Sequence, residues 1–153
     1  MVFSLEAALA GADNPFSWDP SYGSRVGVMP LGGDGRDIRW VEIENCYVFH
    51  EVNAFRDGDD IVIDLCRHGY MFADERFGDA PLALHRWRIG TGGSALTFRD
   101  EVLIDDELEL PSHDRRFSGR RHRFGWLLDN RENDATVDLG GIVRVDFDTG
   151  AES

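Results

Sequence analysis

The sequence predicts an all-β chain, folded as an antiparallel meander of short strands. Three observations carry this. Short runs alternate polar and apolar side chains with a period of two, the repeat of a strand with one buried face. Clusters of Gly, Asp and Asn separate the runs and supply tight turns. Helical spacing is confined to one short segment near the start. With no strict internal repeat, the pattern alone leaves sandwich, barrel and propeller open.

Taken in order, residues 2–10 suit a short helix, with Val2, Leu5, Ala8 and Leu9 at helical spacing and Gly11 and Asn14-Pro15 as its stop. The Gly-, Pro- and aromatic-rich run from Asn14 to Asp37 offers one strand, Ser24 to Met29, and then a glycine turn. From Ile38 onward Arg39, Val41 and Ile43 alternate with Trp40, Glu42 and Glu44. A strand from Cys46 to Phe55 follows, then a turn from Arg56 to Asp60 and a strand from Ile61 to His68. A simple hairpin here sets Cys66 opposite His50, and a bulge would move it by one. Residues 69–81 are irregular, with Gly69, Gly78 and Pro81.

Leu84 to Ile89 is the next strand, turned at Gly90-Thr91-Gly92-Gly93 and returned by Ala95 to Ile104. Leu108 to Pro111 leads into an arginine-rich loop. Arg123 to Leu128 is a strand, Asn130 to Asp134 a turn, and Ile142 to Phe147 a strand ending in Asp148-Thr149-Gly150. That tripeptide is a strong hairpin signal with no strand expected after it. The last strand is therefore expected to lack its partner, and the chain reads as an excerpt of something longer.

At 153 residues the chain can bury one ordinary core. Its 42% hydrophobic and 29% charged content fits a soluble globular protein. No apolar run approaches the roughly 20 residues that span a bilayer. The opening residues lack a basic region and carry Glu6, so they do not read as a signal peptide, and a cytoplasmic location is expected. The net charge of −13 disfavours nucleic acid and anionic membrane, since phosphates would be repelled. All 16 basic residues are arginine, several of them in the run Arg115 to Arg123. That run is an anion or RNA patch or, the reading preferred here, a surface loop paired with neighbouring acids. Cys46 and Cys66 are too few for a disulfide scaffold and lack zinc spacing, so both read as small buried hydrophobes.

His50 is the first residue that could carry chemistry. On a regular strand it shares a face with Cys46, Val48, Val52 and Ala54. Read from the residues alone, it is a satisfied core or interface histidine, or a donor to ferrous iron, which needs several imidazoles converging on one point. His68 could join His50 and Asp64 in a local facial metal site if the hairpin register allowed it. His85, His113 and His122 lie among arginines and acids and suit surface or structural roles. Glu109, between Leu108 and Leu110, is by itself an outward-facing polar residue. Serine-hydrolase, phosphate-loop, zinc-protease and dinucleotide motifs are absent.

The stretch Trp40 to Phe55 also carries a pattern, F-H-x-x-N-A-F/Y, in Phe49, His50, Asn53, Ala54 and Phe55. Upstream, Trp18, Pro20, Arg25, Gly27, Val28 and Pro30 fit W-x-P…R-x-G-V-x-P. Downstream, Leu108-Glu109-Leu110-Pro111 fits E-F/L-P, and Gly119 to Gly125 reads GRRHRFG. In this combination the chain resembles the carotenoid cleavage oxygenases, whose bacterial members include lignostilbene dioxygenases. The resemblance runs from about Asn14 to Gly150, with Leu110 replacing the family's usual aromatic.

The resemblance implies that residues 1–153 form the middle blades of a seven-bladed β-propeller. It implies His50 as the third of four histidine ligands to non-haem Fe(II). It implies Glu109 as the carboxylate on that histidine's free ring nitrogen, fixing its tautomer and raising its basicity. The partners implied are O2, a hydrophobic conjugated substrate such as an apocarotenoid or hydroxylated stilbene, and the remainder of the propeller. The reaction implied is oxidative cleavage of a conjugated C=C bond to two carbonyl products. Because the other three histidines are expected outside these residues, activity is expected only in a full-length context. The alternative is a catalytically inactive truncated remnant or a non-enzymatic β-module.

Overall fold

The computed structural model describes residues 2–73, 80–129 and 140–153. Among these residues, turn residues between alternating runs produce four antiparallel sheets. Strand β1 (Val2–Phe3) pairs with β2 (Phe16–Ser17) across helix α1 (Leu5–Leu9). The Ser4 hydroxyl accepts the Ala7 N–H at 3.1 Å, so the helix begins after Ser4 and Val2 belongs to a strand rather than to the expected helix. Strands β3 (Ser24–Val28) and β4 (Arg39–Ile43) form a hairpin.

The main sheet is a four-stranded meander of β5 (Tyr47–Asp57), β6 (Asp60–His68), β7 (Leu82–Gly90) and β8 (Thr97–Ile104). Gly58, at φ +61°, makes the two-residue turn between β5 and β6. A second meander holds β9 (Leu108–His113), β10 (Phe124–Asp129), β11 (Ile142–Asp146) and β12 (Ala151–Glu152). The expectation of a bare last strand is corrected. Residues Ala151 and Glu152 turn back after Gly150 and pair with Asp146 and Val145, so β11 has a neighbour on both sides. The Leu108–Pro111 lead-in likewise extends into a strand paired with β10. The turn expected at Asn130–Asp134, and Gly78 of the irregular stretch, lie outside the described residues.

The main sheet is buried on both faces. Leu65, Trp87, Ile89 and Leu96 pack on one face against Val26, Val28, Val41 and Ile43 of the β3–β4 hairpin. On the other face Val52, Cys66, Leu82, Leu84 and Ile104 pack against Leu108, Leu127, Val145 and Phe147 of the second meander. A side chain at Gly125 would strike the Phe147 ring at 2.8 Å, so glycine lets β10 approach this core. Cys66 is fully buried and Cys46 partly so, and both are free thiols.

Two register shifts in the β5–β6 ladder decide where the site sits. Pairing runs regularly from Asp57↔Asp60 to Asn53↔Asp64, then shifts before Glu51↔Leu65 and again before Val48↔Arg67. His50 lies inside the second irregular interval, so the simple pairing with Cys66 is not made. The expected common face of Cys46, Val48, Val52 and Ala54 is also lost. Cys46 and Val48 pack with the Leu65–Trp87 cluster, Val52 packs with Cys66 on the opposite face, and Ala54 is exposed. Each bulge adds a residue to one strand and so inverts the alternation beyond it.

Candidate functional site

His50 and Glu109 are 59 positions apart in sequence and meet where β5 crosses β9. His50 Nδ1 lies 2.8 Å from Glu109 Oε2. The same carboxylate reaches a second histidine, with His68 Nε2 at 2.7 Å from Oε1. The Leu110 backbone N–H donates to Oε2 at 2.8 Å. Leu110 has φ +49°, a conformation a branched side chain adopts at a cost of about 1–3 kcal/mol.

Glu109 is therefore an acceptor for three N–H groups. Burial alone would raise its carboxyl pKa, but hydrogen bonds from His68, the Leu110 N–H and His50 together hold it below the ordinary range. An ionised carboxylate can only accept, so each imidazole nitrogen facing it carries a proton. In neutral His50 this places the proton on Nδ1 and the lone pair on Nε2. The His50 side chain is 45% exposed, against 11% for His68. His50 is thus a half-exposed imidazole with a fixed tautomer, and its Nε2 lone pair suits a metal or a proton. A single such nitrogen is not a metal site. Among the described residues no group of three or more His, Cys, Asp or Glu side chains could hold an ion.

Aromatic rings flank the pair. Phe49 stacks beside His50 at 6.1 Å, meets His68 edge-on at 5.4 Å and continues to Tyr47 and Phe72. Burial makes Cys66, behind the site, a poor thiolate, its pKa raised first by desolvation and then by the Glu109 charge.

The His50–His68–Asp64 site is not formed. Asp64 is fully buried and accepts from Arg86 Nε at 2.7 Å and Nη2 at 3.0 Å, across the β6–β7 ladder. Its other neighbour is His122 Nε2, at 3.6 Å. His122 and His85 are both buried, which excludes a surface role for them. His85 Nδ1 meets Asp100 Oδ1 at 2.6 Å, and His122 packs on Phe147 at 4.5 Å. His113 is half-buried beside Ser118. The arginine-rich run is met by acids, with Arg116 on Asp114, Arg121 on Asp148 and Arg123 on Asp146.

Two contributors were not legible as such in the sequence. His68 joins Glu109 only through tertiary contact. Asn53 is buried and fastens the loop before β10 to β5. Its Nδ2 donates to Phe117 O at 3.1 Å and Arg120 O at 2.9 Å, and its Oδ1 accepts the Gly119 N–H at 3.2 Å. The F-H-x-x-N pattern marked Asn53 without revealing this work.

Consecutive four-stranded antiparallel meanders packed face to face are the blades of a β-propeller, and the chain has the fold of part of one. It belongs to the family described as RPE65, retinal pigment epithelial membrane protein, whose model matches residues 1–153. A carotenoid cleavage oxygenase of Mycobacterium tuberculosis is 40% identical over 121 residues, covering 74% of this chain and 24% of that protein. Isoeugenol monooxygenase of Pseudomonas putida is 32% identical over 120 residues, covering 73% and 25%. The chain thus spans about a quarter of the length of these relatives. The crystal structure of Pseudomonas brassicacearum lignostilbene dioxygenase superposes with a TM-score of 0.83 at 21% identity, over 99% of this chain and 35% of that one. Cobalt-substituted Synechocystis apocarotenoid oxygenase gives 0.79 at 21%, over 99% and 33%. No helix among the described residues is long and apolar enough to cross a membrane.

Proposed function

We propose that this chain supplies one metal-ligating arm of a non-haem Fe(II) dioxygenase that cleaves a conjugated C=C bond of an apocarotenoid or stilbene to two carbonyl products. His50 is the ligand, through Nε2, and Glu109 is the carboxylate that holds it. The observation that carries this is the 2.8 Å contact between Glu109 Oε2 and His50 Nδ1, which directs the lone pair outward on a half-exposed ring. Family membership and the relatives named above supply the reaction class. Bound ferrous iron would supply the dioxygen chemistry.

The chain's own residues orient one imidazole, keep its tautomer fixed and present the Phe49 ring beside it to an apolar, conjugated substrate. The remaining ligands and most of the substrate pocket belong to the rest of a seven-bladed propeller. Exposed Leu110, Phe117, Trp126 and Ile142 suit surfaces that further blades would cover. The second reading is an inactive remnant or a non-enzymatic β-module.

The test uses the native product that contains this segment. Its intact mass should be several-fold above 17.2 kDa, and it should retain iron that His50→Ala loses. Normal iron content in His50→Ala would remove the ligand assignment. A native mass of 17.2 kDa would favour the remnant.

A further inference from the structure

We infer that His68 is a positioning residue for His50, acting through Glu109, so that the working unit is His50–Glu109–His68 rather than a histidine–glutamate pair. This inference rests on the proposed metal role of His50.

The geometry is specific. The two carboxylate oxygens are divided between the histidines, Oε2 to His50 Nδ1 at 2.8 Å and Oε1 to His68 Nε2 at 2.7 Å. The Leu110 N–H shares Oε2, so that oxygen has a backbone anchor, but the only hydrogen bond on Oε1 among the described residues is from His68. His68 therefore holds the Oε1 end of the carboxylate plane, opposite the Leu110 N–H at the Oε2 end, and the two together fix its rotation about the last side-chain bond. That plane in turn sets the direction of the His50 ring. His68 is itself held. It is buried on β6, its backbone pairs with Tyr47 and with Leu82, and the Phe49 ring packs edge-on against it while lying alongside His50. The exposed imidazole is thus referenced to a buried one through a single carboxylate. A second-sphere chain of this kind limits the ring's libration, which a lone surface-facing glutamate would not do.

The test reads metal affinity rather than turnover. Co(II) is titrated into the metal-free full-length native protein and followed by its visible absorption bands. His68→Leu removes the donor to Oε1. His68→Gln places an amide N–H where Nε2 stood. Expected are a loss of about 10- to 100-fold in Co(II) affinity with altered bands for His68→Leu, and affinity within about threefold of wild type for His68→Gln. If His68→Leu does not fold, His68→Asn, whose amide is one methylene short of Oε1, takes its place with the same expectation. Wild-type affinity and bands in the donor-deficient variant overturn the inference. So does an equal loss in His68→Gln, which would mark His68 as merely structural. His50→Ala separates the two levels. Metal lost there but retained without the His68 donor overturns this inference alone, whereas metal retained in His50→Ala overturns the ligand reading beneath it.

Discussion

Replacing Glu109 by glutamine tests the chemistry of the pair most directly, because it removes one charge and almost no volume. The carboxylate accepts from three N–H groups, on His50, His68 and Leu110. An amide has one acceptor oxygen and one donor nitrogen. The Leu110 N–H cannot change its protonation, so the amide oxygen takes the Oε2 position and the NH2 turns to His68. His68 must then present a bare Nε2. His50 keeps a hydrogen bond, but to a neutral acceptor. Such a bond is worth about 0.5–1.5 kcal/mol, against about 1.5–3 kcal/mol for one to a charged group. A difference of about 1–1.5 kcal/mol, expressed in the basicity and orientation of Nε2, corresponds to about tenfold in metal affinity. Glu109→Ala removes the acceptor entirely and frees the ring, so about 100-fold is expected. Equilibrium dialysis of ferrous iron against the full-length protein measures both. Wild-type affinity in Glu109→Ala would refute the reasoning, since among the described residues Glu109 alone accepts the Nδ1 proton.

Three further outcomes follow from contacts around the site. Asn53→Ala strands the hydrogen-bonding groups of Phe117, Gly119 and Arg120; a loss of about 2–3 kcal/mol in denaturant unfolding is expected, with faster amide exchange at Gly119. Asp64→Asn leaves the half-buried Arg86 guanidinium without its charge partner and should cost about 3 kcal/mol, whereas the paired change Asp64→Leu with Arg86→Met should cost much less in the same assay. Burial pushes His122 below its ordinary value of 6.5, an effect that the nearby Asp64 charge only partly offsets. Between that depressed folded value and 6.5 the unfolded chain binds more protons, so stability should fall as pH drops through the window. Unfolding midpoints at about pH 7.5 and about pH 5 should therefore diverge in the wild type and converge in His122→Gln.

The strands were legible because each announces itself locally. Alternation over Arg39–Ile43, the Asp-Gly-Asp cluster after β5 and the glycines after β7 are short-range signals, and β4 to β8 fall close to where those signals lie. The end of the chain was misread because the two residues of β12 are too few to show a period, and only their pairing with β11 makes them a strand. Helix α1 was overextended because Val2 fits its spacing, while the Ser4 cap and the partner strand at Phe16–Ser17 overrule it.

By itself the sequence determined the all-β class, the family, and the two residues, His50 and Glu109, around which a site could form. Motif spacing marks residues without saying how their side chains meet. The tertiary structure decided that meeting. Two bulges in β5 broke the expected face, which no alternation count could foresee, because bulge placement depends on the ladder with β6. Those shifts, and the left-handed turn at Leu110, bring Glu109 to His50 and to His68, 59 and 41 positions away. Pairing within each meander turned His85 onto Asp100 across the β7–β8 ladder, and His122 onto Phe147 beside β10 and β11. The contacts of Glu109 join residues far apart in the chain, and their energy is realised only once both sheets are built.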